Sequence, residues 1–417
     1  MLHYLLENME WSISRLGQYI TFRSAAAIIL SLLISIFWGE RIISSLRRLQ
    51  VGESVRDLGL DGQKAKQGTP TMGGLIILLS ILVPVFLLCD LTNIYVITIV
   101  VSILWLSIIG FADDYIKVFK KNKDGLKGRF KVYGQVGLGL LIGCIMTFHD
   151  DVVVRMSYEE ASTQGYEIVE HFDVSIPQIN KAAKEEKMAY VKTHLTNVPF
   201  FKGNQFEYKQ LIWFLGDNAG RFAWIAFVIM CILITTAVSN AANLTDGIDG
   251  LATGVSAIIG TALGILAYVS SNVIIADYLN ILYLPNTEEL VIIAASFVGA
   301  TVGFLWYNSF PAKVFMGDTG SLMIGGFIAA FAILIRKEFL IPILCGVFLV
   351  ENLSVMIQVG YFKYTKKKYG EGRRVLKMAP IHHHYQKLGM HESKIVTRFW
   401  IVQILLAIIT IITLKVR

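Results

Sequence analysis

Charge is scarce in this chain: Asp, Glu, Lys and Arg make up 17% of its 417 residues, while 54% are hydrophobic. Soluble domains carry about a quarter charged residues, so a purely soluble protein is excluded. Cysteine is rarer still. Cys89, Cys144, Cys231 and Cys345 stand in no metal or redox spacing and each lies in or at the end of an apolar run, which excludes a disulfide scaffold and marks them as core. The period-two alternation that a lipid-facing barrel requires is also missing. No small-residue cleavage site follows the first apolar run, which Arg23 and Arg41 bound, so that run reads as a retained span and not a signal peptide. These absences leave an all-α, polytopic integral membrane protein.

About ten spans of roughly 17 to 20 residues are expected, centred near Leu30, Leu79, Val101, Leu140, Phe227, Ile259, Phe297, Phe327, Phe348 and Leu406. Lys and Arg concentrate in the connections 39–72, 112–133 and 362–397, whereas the connections near Cys89 and over 271–288 have none. With an even number of spans the basic connections share one side, which the positive-inside rule makes cytoplasmic, and both termini then lie outside. The net charge of +7 sits in these juxtamembrane loops and not in a soluble basic domain. Membrane lipid headgroups and phosphorylated substrates are therefore the expected partners, and nucleic acid is not. The chain reads as a single transmembrane domain over 1–417, with an extracytoplasmic insertion over 149–209 between the fourth and fifth spans. That insertion mixes acidic and basic residues and could form a small cap or stay disordered.

Four polar clusters interrupt the apolar pattern. Asp113-Asp114-Tyr115-Ile116-Lys117 closes the run 94–112, and Lys117 falls on the helical face of both carboxylates. Ionisable groups at the edge of a bilayer cost about 3 kcal/mol on insertion scales and are functional by default, an interfacial ion pair being the plain alternative. Asn240, Asn243, Asp246 and Asp249 recur at every third residue. Their amides suit a base or sugar, their carboxylates hydroxyls or a cation, and Asp249 could cap the next span. Asp318, between Gly317 and Gly320 at a helix start, is the first choice as a Mg²⁺ ligand, and the helix N–H groups beside it suit phosphate. His382-His383-His384 lies in the most basic connection. Three successive imidazoles cannot share one face, and phosphate contact, proton transfer or a metal are the candidate roles. Weaker signals are residues 66–74, with Lys66, Thr71 and a Pro turn, and Glu351 with Gln358, seven apart on one helical face. A transporter would place such groups at the bilayer midplane; all four clusters fall instead at span ends on one side.

Asp113-Asp114-Tyr115-Ile116-Lys117, Asn240 with residues 243–251, residues 315–321 and residues 379–385 together resemble the polyprenyl-phosphate N-acetylhexosamine-1-phosphate transferases. Residues 69–74 and Pro380-Ile381-His382-His383-His384 are similar to the branch acting on phospho-N-acetylmuramoyl-pentapeptide. The resemblance implies ten helices, a homodimer, a Mg²⁺ requirement, and transfer from UDP-MurNAc-pentapeptide to undecaprenyl phosphate with release of UMP. It implies Asp318 as the metal ligand and Asp113, Asp114 and His382 beside the diphosphate as catalytic groups. Lys66, Thr71 and Lys117 would contact phosphates. Asn240, Asn243, Asp246, Asp249, Phe315, Gln358 and His383 would shape the nucleotide and sugar side, with His384 also near the diphosphate. A sibling transferase loading GlcNAc-1-phosphate, and an ion-coupled transporter, are the rival readings. The insertion 149–209 and the basic stretch around Lys366-Lys367-Lys368 exceed the usual pattern.

Overall fold

A computed structural model describes residues 17–49, 66, 68–122, 124–178, 181–200 and 203–415. Residues 50–65 and Gln67, which make up much of the basic connection 39–72, lie outside the described residues, as do 1–16 and 416–417.

The molecule is mostly helical. In chain order the helices are α1 (Ile20–Arg48), α2 (Gly74–Leu88), α3 (Ile94–Val118), α4 (Gly128–Phe148), α5 (Tyr158–Gln164), α6 (Ala219–Thr245), α7 (Leu251–Ser270), α8 (Val273–Leu279), α9 (Glu289–Asn308), α10 (Gly317–Leu334), α11 (Ile341–Leu344), α12 (Gly346–Tyr369), α13 (Ile381–Lys387) and α14 (Glu392–Ile412). Among the described residues eight helices are long and apolar enough to cross a membrane, or nine if the segment Glu338–Leu344 and α12, which meet at 76°, form one broken span. Every expected span centre falls inside a helix. The one near Leu79 lies in α2, which at 15 residues is short for a crossing and carries Pro84. The chain is therefore a polytopic helical membrane protein.

Burial within the bundle sorts the helices. α10 is the central one, with nearly every residue from Thr319 to Leu334 buried, and it packs against α3, α6 and α2. Beyond Asp318, Thr319 and Ser321 at its start its sequence is apolar, which suits that place, since a helix surrounded by other helices needs no polar face. Peripheral α1 and α14 instead show Phe37, Trp38, Leu405 and Ile408 outward, as lipid contact requires. Cys89, Cys231 and Cys345 are buried and Cys144 half-buried, and all four are free thiols.

The insertion contains the strands. β1 (Val154–Ser157), β2 (Glu167–Gln178) and β3 (Lys181–Lys192) make an antiparallel sheet with β3 central, and β4 (Leu195–Asn197) pairs with β5 (Gln205–Glu207). Of the two expectations for 149–209, the small folded cap is the one that forms. It joins the ends of α4 and α6 and is docked on the turn after α10: Asn197 N and Thr196 Oγ1 both donate to Arg336 O, Lys337 Nζ donates to Asn197 Oδ1, and Tyr208 OH donates to Glu338 Oε1.

Candidate active site

α3 ends beside the start of α10, and the carboxylates of both helices meet there. Asp113, Asp114 and Asp318 each place an oxygen within 4.8 Å of the others, the one group among the described residues arranged to hold a metal ion. Their surroundings differ. Asp114 Oδ1 accepts from Asp318 N at 3.0 Å, and its Oδ2 accepts from Thr319 N at 2.9 Å and Thr319 Oγ1 at 2.6 Å. Asp114 thus caps α10 from a neighbouring helix, satisfying backbone donors that the helix itself leaves open. The N–H groups expected to be free for phosphate are consequently taken by a carboxylate.

Asp113 and Asp318 instead hold cations. Lys117 Nζ lies 3.0 Å from Asp318 Oδ2 and 2.6 Å from Asp113 Oδ2, while Lys131 Nζ lies 2.6 Å from Asp318 Oδ2 and 3.0 Å from Asp113 Oδ1. Lys117 was expected over both aspartates of α3; it bridges Asp113 to Asp318, because Asp114 points the other way into α10. Asp113 Oδ1 also accepts from Leu126 N at 2.7 Å. Its Oδ2 is buried, with Lys117 Nζ 2.6 Å away. The three oxygens form a hard-donor set of the kind that binds Mg²⁺ through few carboxylates and leaves positions for phosphate, so the residues fit the expected ion.

Asn243, on the last turn of α6, donates to Asp318 Oδ1 at 2.7 Å and to Ser321 Oγ at 2.8 Å. One turn earlier Asn240 exchanges hydrogen bonds with Gln135 of α4, at 2.9 and 3.2 Å. Thr71 is buried and belongs to the same centre. Residues 70–74 pair with the α10 approach through Phe315 N to Pro70 O, Gly73 N to Phe315 O and Gly74 N to Met316 O. Gly317 has φ +72, and a Cβ there would stand 2.6 Å from Asp114 Oδ2 and 2.9 Å from Thr71 Oγ1, so a side chain has no room between them. Phe315 is half-buried beside this pairing.

A second constellation borders the first through the segment 243–249. Lys66 Nζ pairs with Asp249 Oδ1 at 2.8 Å and Glu392 Oε2 at 2.6 Å. Asp249 does not cap α7 as expected. Its Oδ2 accepts from Ala312 N, and Gly250 starts the helix while Asn308 Oδ1 takes the Gly250 N–H. Asp246 ends α6, half-buried. The three imidazoles diverge: His382 Nδ1 meets Glu351 Oε2 at 3.0 Å, His383 Nδ1 meets Gln386 Oε1 at 2.6 Å, and His384 Nδ1 accepts from Lys377 N at 3.1 Å. Burial, together with His382 beside it, pushes the His383 imidazole down to about 4, so it is neutral at pH 7. Gln358 secures the loop backbone, accepting from Val375 N and Leu376 N and donating to Leu376 O.

Lys131, Gln135 and Glu392 escaped the sequence reading. Lys131 and Gln135 are four apart on α4 and share a face, a signal hidden by the many other lysines of 112–133.

A model of glycosyl transferase family 4 matches residues 185–336, and the phospho-N-acetylmuramoyl-pentapeptide-transferase signature 1 matches residues 66–78. Relatives named phospho-N-acetylmuramoyl-pentapeptide-transferase include those of Flavobacterium psychrophilum, 57% identical over 421 residues, Parabacteroides distasonis, 55% over 434, and Porphyromonas gingivalis, 52% over 434. Each comparison covers 100% of this chain and 100% of the relative. Identity above half along the full length, together with the signature on the Lys66 segment, means that this chain belongs to the phospho-N-acetylmuramoyl-pentapeptide transferase family.

Proposed function

We propose that this membrane enzyme transfers phospho-N-acetylmuramoyl-pentapeptide from UDP-MurNAc-pentapeptide to undecaprenyl phosphate, forming lipid I and UMP, with Mg²⁺ held at Asp318. The observation that carries this reading is the cluster of Asp113, Asp114 and Asp318 threaded by Lys117 and Lys131. A phosphate oxygen of the lipid attacks the β-phosphorus, the bond to the UMP oxygen breaks, and UMP leaves with that electron pair. Such a reaction is limited by charge and alignment more than by bond making. Bound there, Mg²⁺ would neutralise the diphosphate oxygens and raise the leaving ability of UMP.

The residues divide the remaining work. Lys117 and Lys131 exchange their aspartate partners for phosphate oxygens and balance the charge that develops. Asp113, held by those two cations and one backbone N–H, is the carboxylate able to meet the lipid phosphate. Asp114, fully engaged with α10, holds Asp318 in place. Lys66 and Thr71 serve phosphate on the donor side, with His382 and His384 near the diphosphate. Asn240, Asn243, Asp246, Asp249, Phe315, Gln358 and the neutral His383 shape the pocket for uridine and sugar, where hydrogen-bonding edges matter more than charge.

The cytoplasmic face is proposed for this site. The described part of each basic connection reaches it, through Lys66, through Lys117 and Lys131, and through the His loop, while the folded insertion joins the opposite ends of α4 and α6. As a homodimer, the form the resemblance implies, the detergent-purified protein would carry twice the 46.6 kDa of one chain in native mass spectrometry.

Incubation with undecaprenyl phosphate, Mg²⁺ and either UDP-MurNAc-pentapeptide or UDP-GlcNAc tests the donor. UMP and a lipid of the mass of lipid I are expected only with the muramoyl donor. Product from UDP-GlcNAc alone would move the chain to the sibling transferases.

A further inference from the structure

We propose that Glu351 is a positioning residue for this reaction: it fixes the tautomer and orientation of His382 so that Nε2 is the ring nitrogen presented to substrate. The inference rests on the function proposed above, in which His382 meets the diphosphate.

Glu351 lies on α12 one turn from the buried Val347 and Phe348 and is itself fully buried in the bundle. A carboxylate in such a place is unfavourable unless a partner compensates it. Among the described residues its ion-pair partner is His382, also fully buried, with Nδ1 3.0 Å from Glu351 Oε2. A carboxylate only accepts, so the nitrogen facing it carries the proton. Nδ1–H is thereby fixed, and in the neutral ring Nε2 is left with its lone pair.

That nitrogen is buried and has no hydrogen-bond partner among the described residues. An orphaned buried acceptor is unfavourable, and a ligand group would satisfy it. It faces Gly247, where a Cβ would collide with Nε2. Gly247 is itself exposed, between Asn243 at the Asp318 centre and Asp249 on Lys66. The ring is thus aimed at the segment joining the two constellations, where the donor's phosphates would lie. There Nε2 accepts a hydrogen bond from the protonated oxygen of the lipid acceptor's monophosphate as it approaches the donor's diphosphate, which as a diester carries no proton at pH 7. If that proton moves, the O–H bond breaks, an Nε2–H bond forms, and the carboxylate behind the ring stabilises the imidazolium.

Three measurements on the full-length enzyme in detergent test this. In ¹⁵N-histidine-labelled protein the His382 signal, assigned by its loss in His382→Gln, is expected as the Nδ1–H tautomer and is expected to change in Glu351→Gln, whose amide can donate to Nδ1. Glu351→Gln should lower kcat by about 100-fold or more while KM for UDP-MurNAc-pentapeptide stays within about 3-fold. The double variant Glu351→Gln/His382→Gln should be no slower than His382→Gln alone, because both act through one ring. An Nε2–H tautomer in the unaltered protein, an unchanged kcat, or a further large loss in the double variant would each overturn the proposal. Gly247→Ala, which pushes against Nε2 and leaves Glu351 intact, should also lower kcat, and an unchanged kcat there would count against it should Glu351→Gln not fold. If the unaltered enzyme makes no lipid product the transferase function fails, while the tautomer still decides the role of Glu351.

Discussion

Asp113 and Asp114 are adjacent in sequence and opposite in circumstance. Three donors hold Asp114 to the first turn of α10, so Asp114→Asn puts an amide NH₂ against N–H groups and leaves one of them unpaired. A loss of about 1–3 kcal/mol is expected, read as a lowered unfolding midpoint in detergent. Lys131 is one of the residues that sequence alone did not single out, and its value lies in contact with Asp318 and Asp113 together. Lys131→Met should reduce kcat by about 100-fold with the protein still folded, by analogy with loss of one preorganised charge donor. A rate within about 2-fold of the unaltered enzyme would remove Lys131 from the site. Asp318, Lys117 and Asn243 were legible because each stood out against apolar neighbours. Lys131 stood among other lysines, and only the approach of α4 to α10 distinguishes it.

The spans were legible as elements because hydropathy and length decide them. The 76° break before α12 was not, since Cys345-Gly346 looks like any small pair inside an apolar run. That break matters, because α12 carries Glu351 and Gln358 and so orients the His loop. On the opposite side the turn 335–338 receives the insertion through Asn197, which bonds Lys337, Asn204 O and Leu282 N. Asn197→Ala leaves the buried Lys337 amine without its acceptor, and a loss of about 1–3 kcal/mol in stability is expected. Near-normal activity at low temperature should accompany it, because the site lies at the other end of the bundle. The insertion also sets a pH dependence. Burial and the charge of Arg336 push the His194 imidazole from 6.5 down to about 4, in the same direction as His383. Both are harder to protonate folded than unfolded, so the unfolded chain takes up more protons between these values. Stability is full above about 6.5 and declines as pH falls toward 4. The thermal midpoint should fall over that window, and less steeply in His194→Asn; a midpoint flat from pH 7 to 4.5 would contradict the assignment.

At the scale of the whole molecule, residues from Lys66 to Glu392 converge on two adjoining constellations although they are scattered over most of the chain. The sequence could show that each cluster stood at a span end, but not which would touch. Helix packing decided that: α10 in the centre brings α3, α6 and the 70–74 segment together, and the His loop folds back on α12. The capping argument failed at Asp249 for the same reason, since Gly250 starts α7 and a neighbouring side chain, Asn308, takes the Gly250 N–H that local reasoning assigned to Asp249. The central claim is that the three aspartates form a metal-dependent phosphosugar transfer site. It is tested most directly by UMP release from UDP-MurNAc-pentapeptide and undecaprenyl phosphate across Mg²⁺ concentrations, for the unaltered enzyme and for Asp318→Asn with matched folding. Release that rises and saturates with Mg²⁺, and a loss of about 1,000-fold or more in Asp318→Asn at every concentration, is the expected result. Turnover in chelator equal to that in Mg²⁺, or near-normal turnover by Asp318→Asn, would contradict the account.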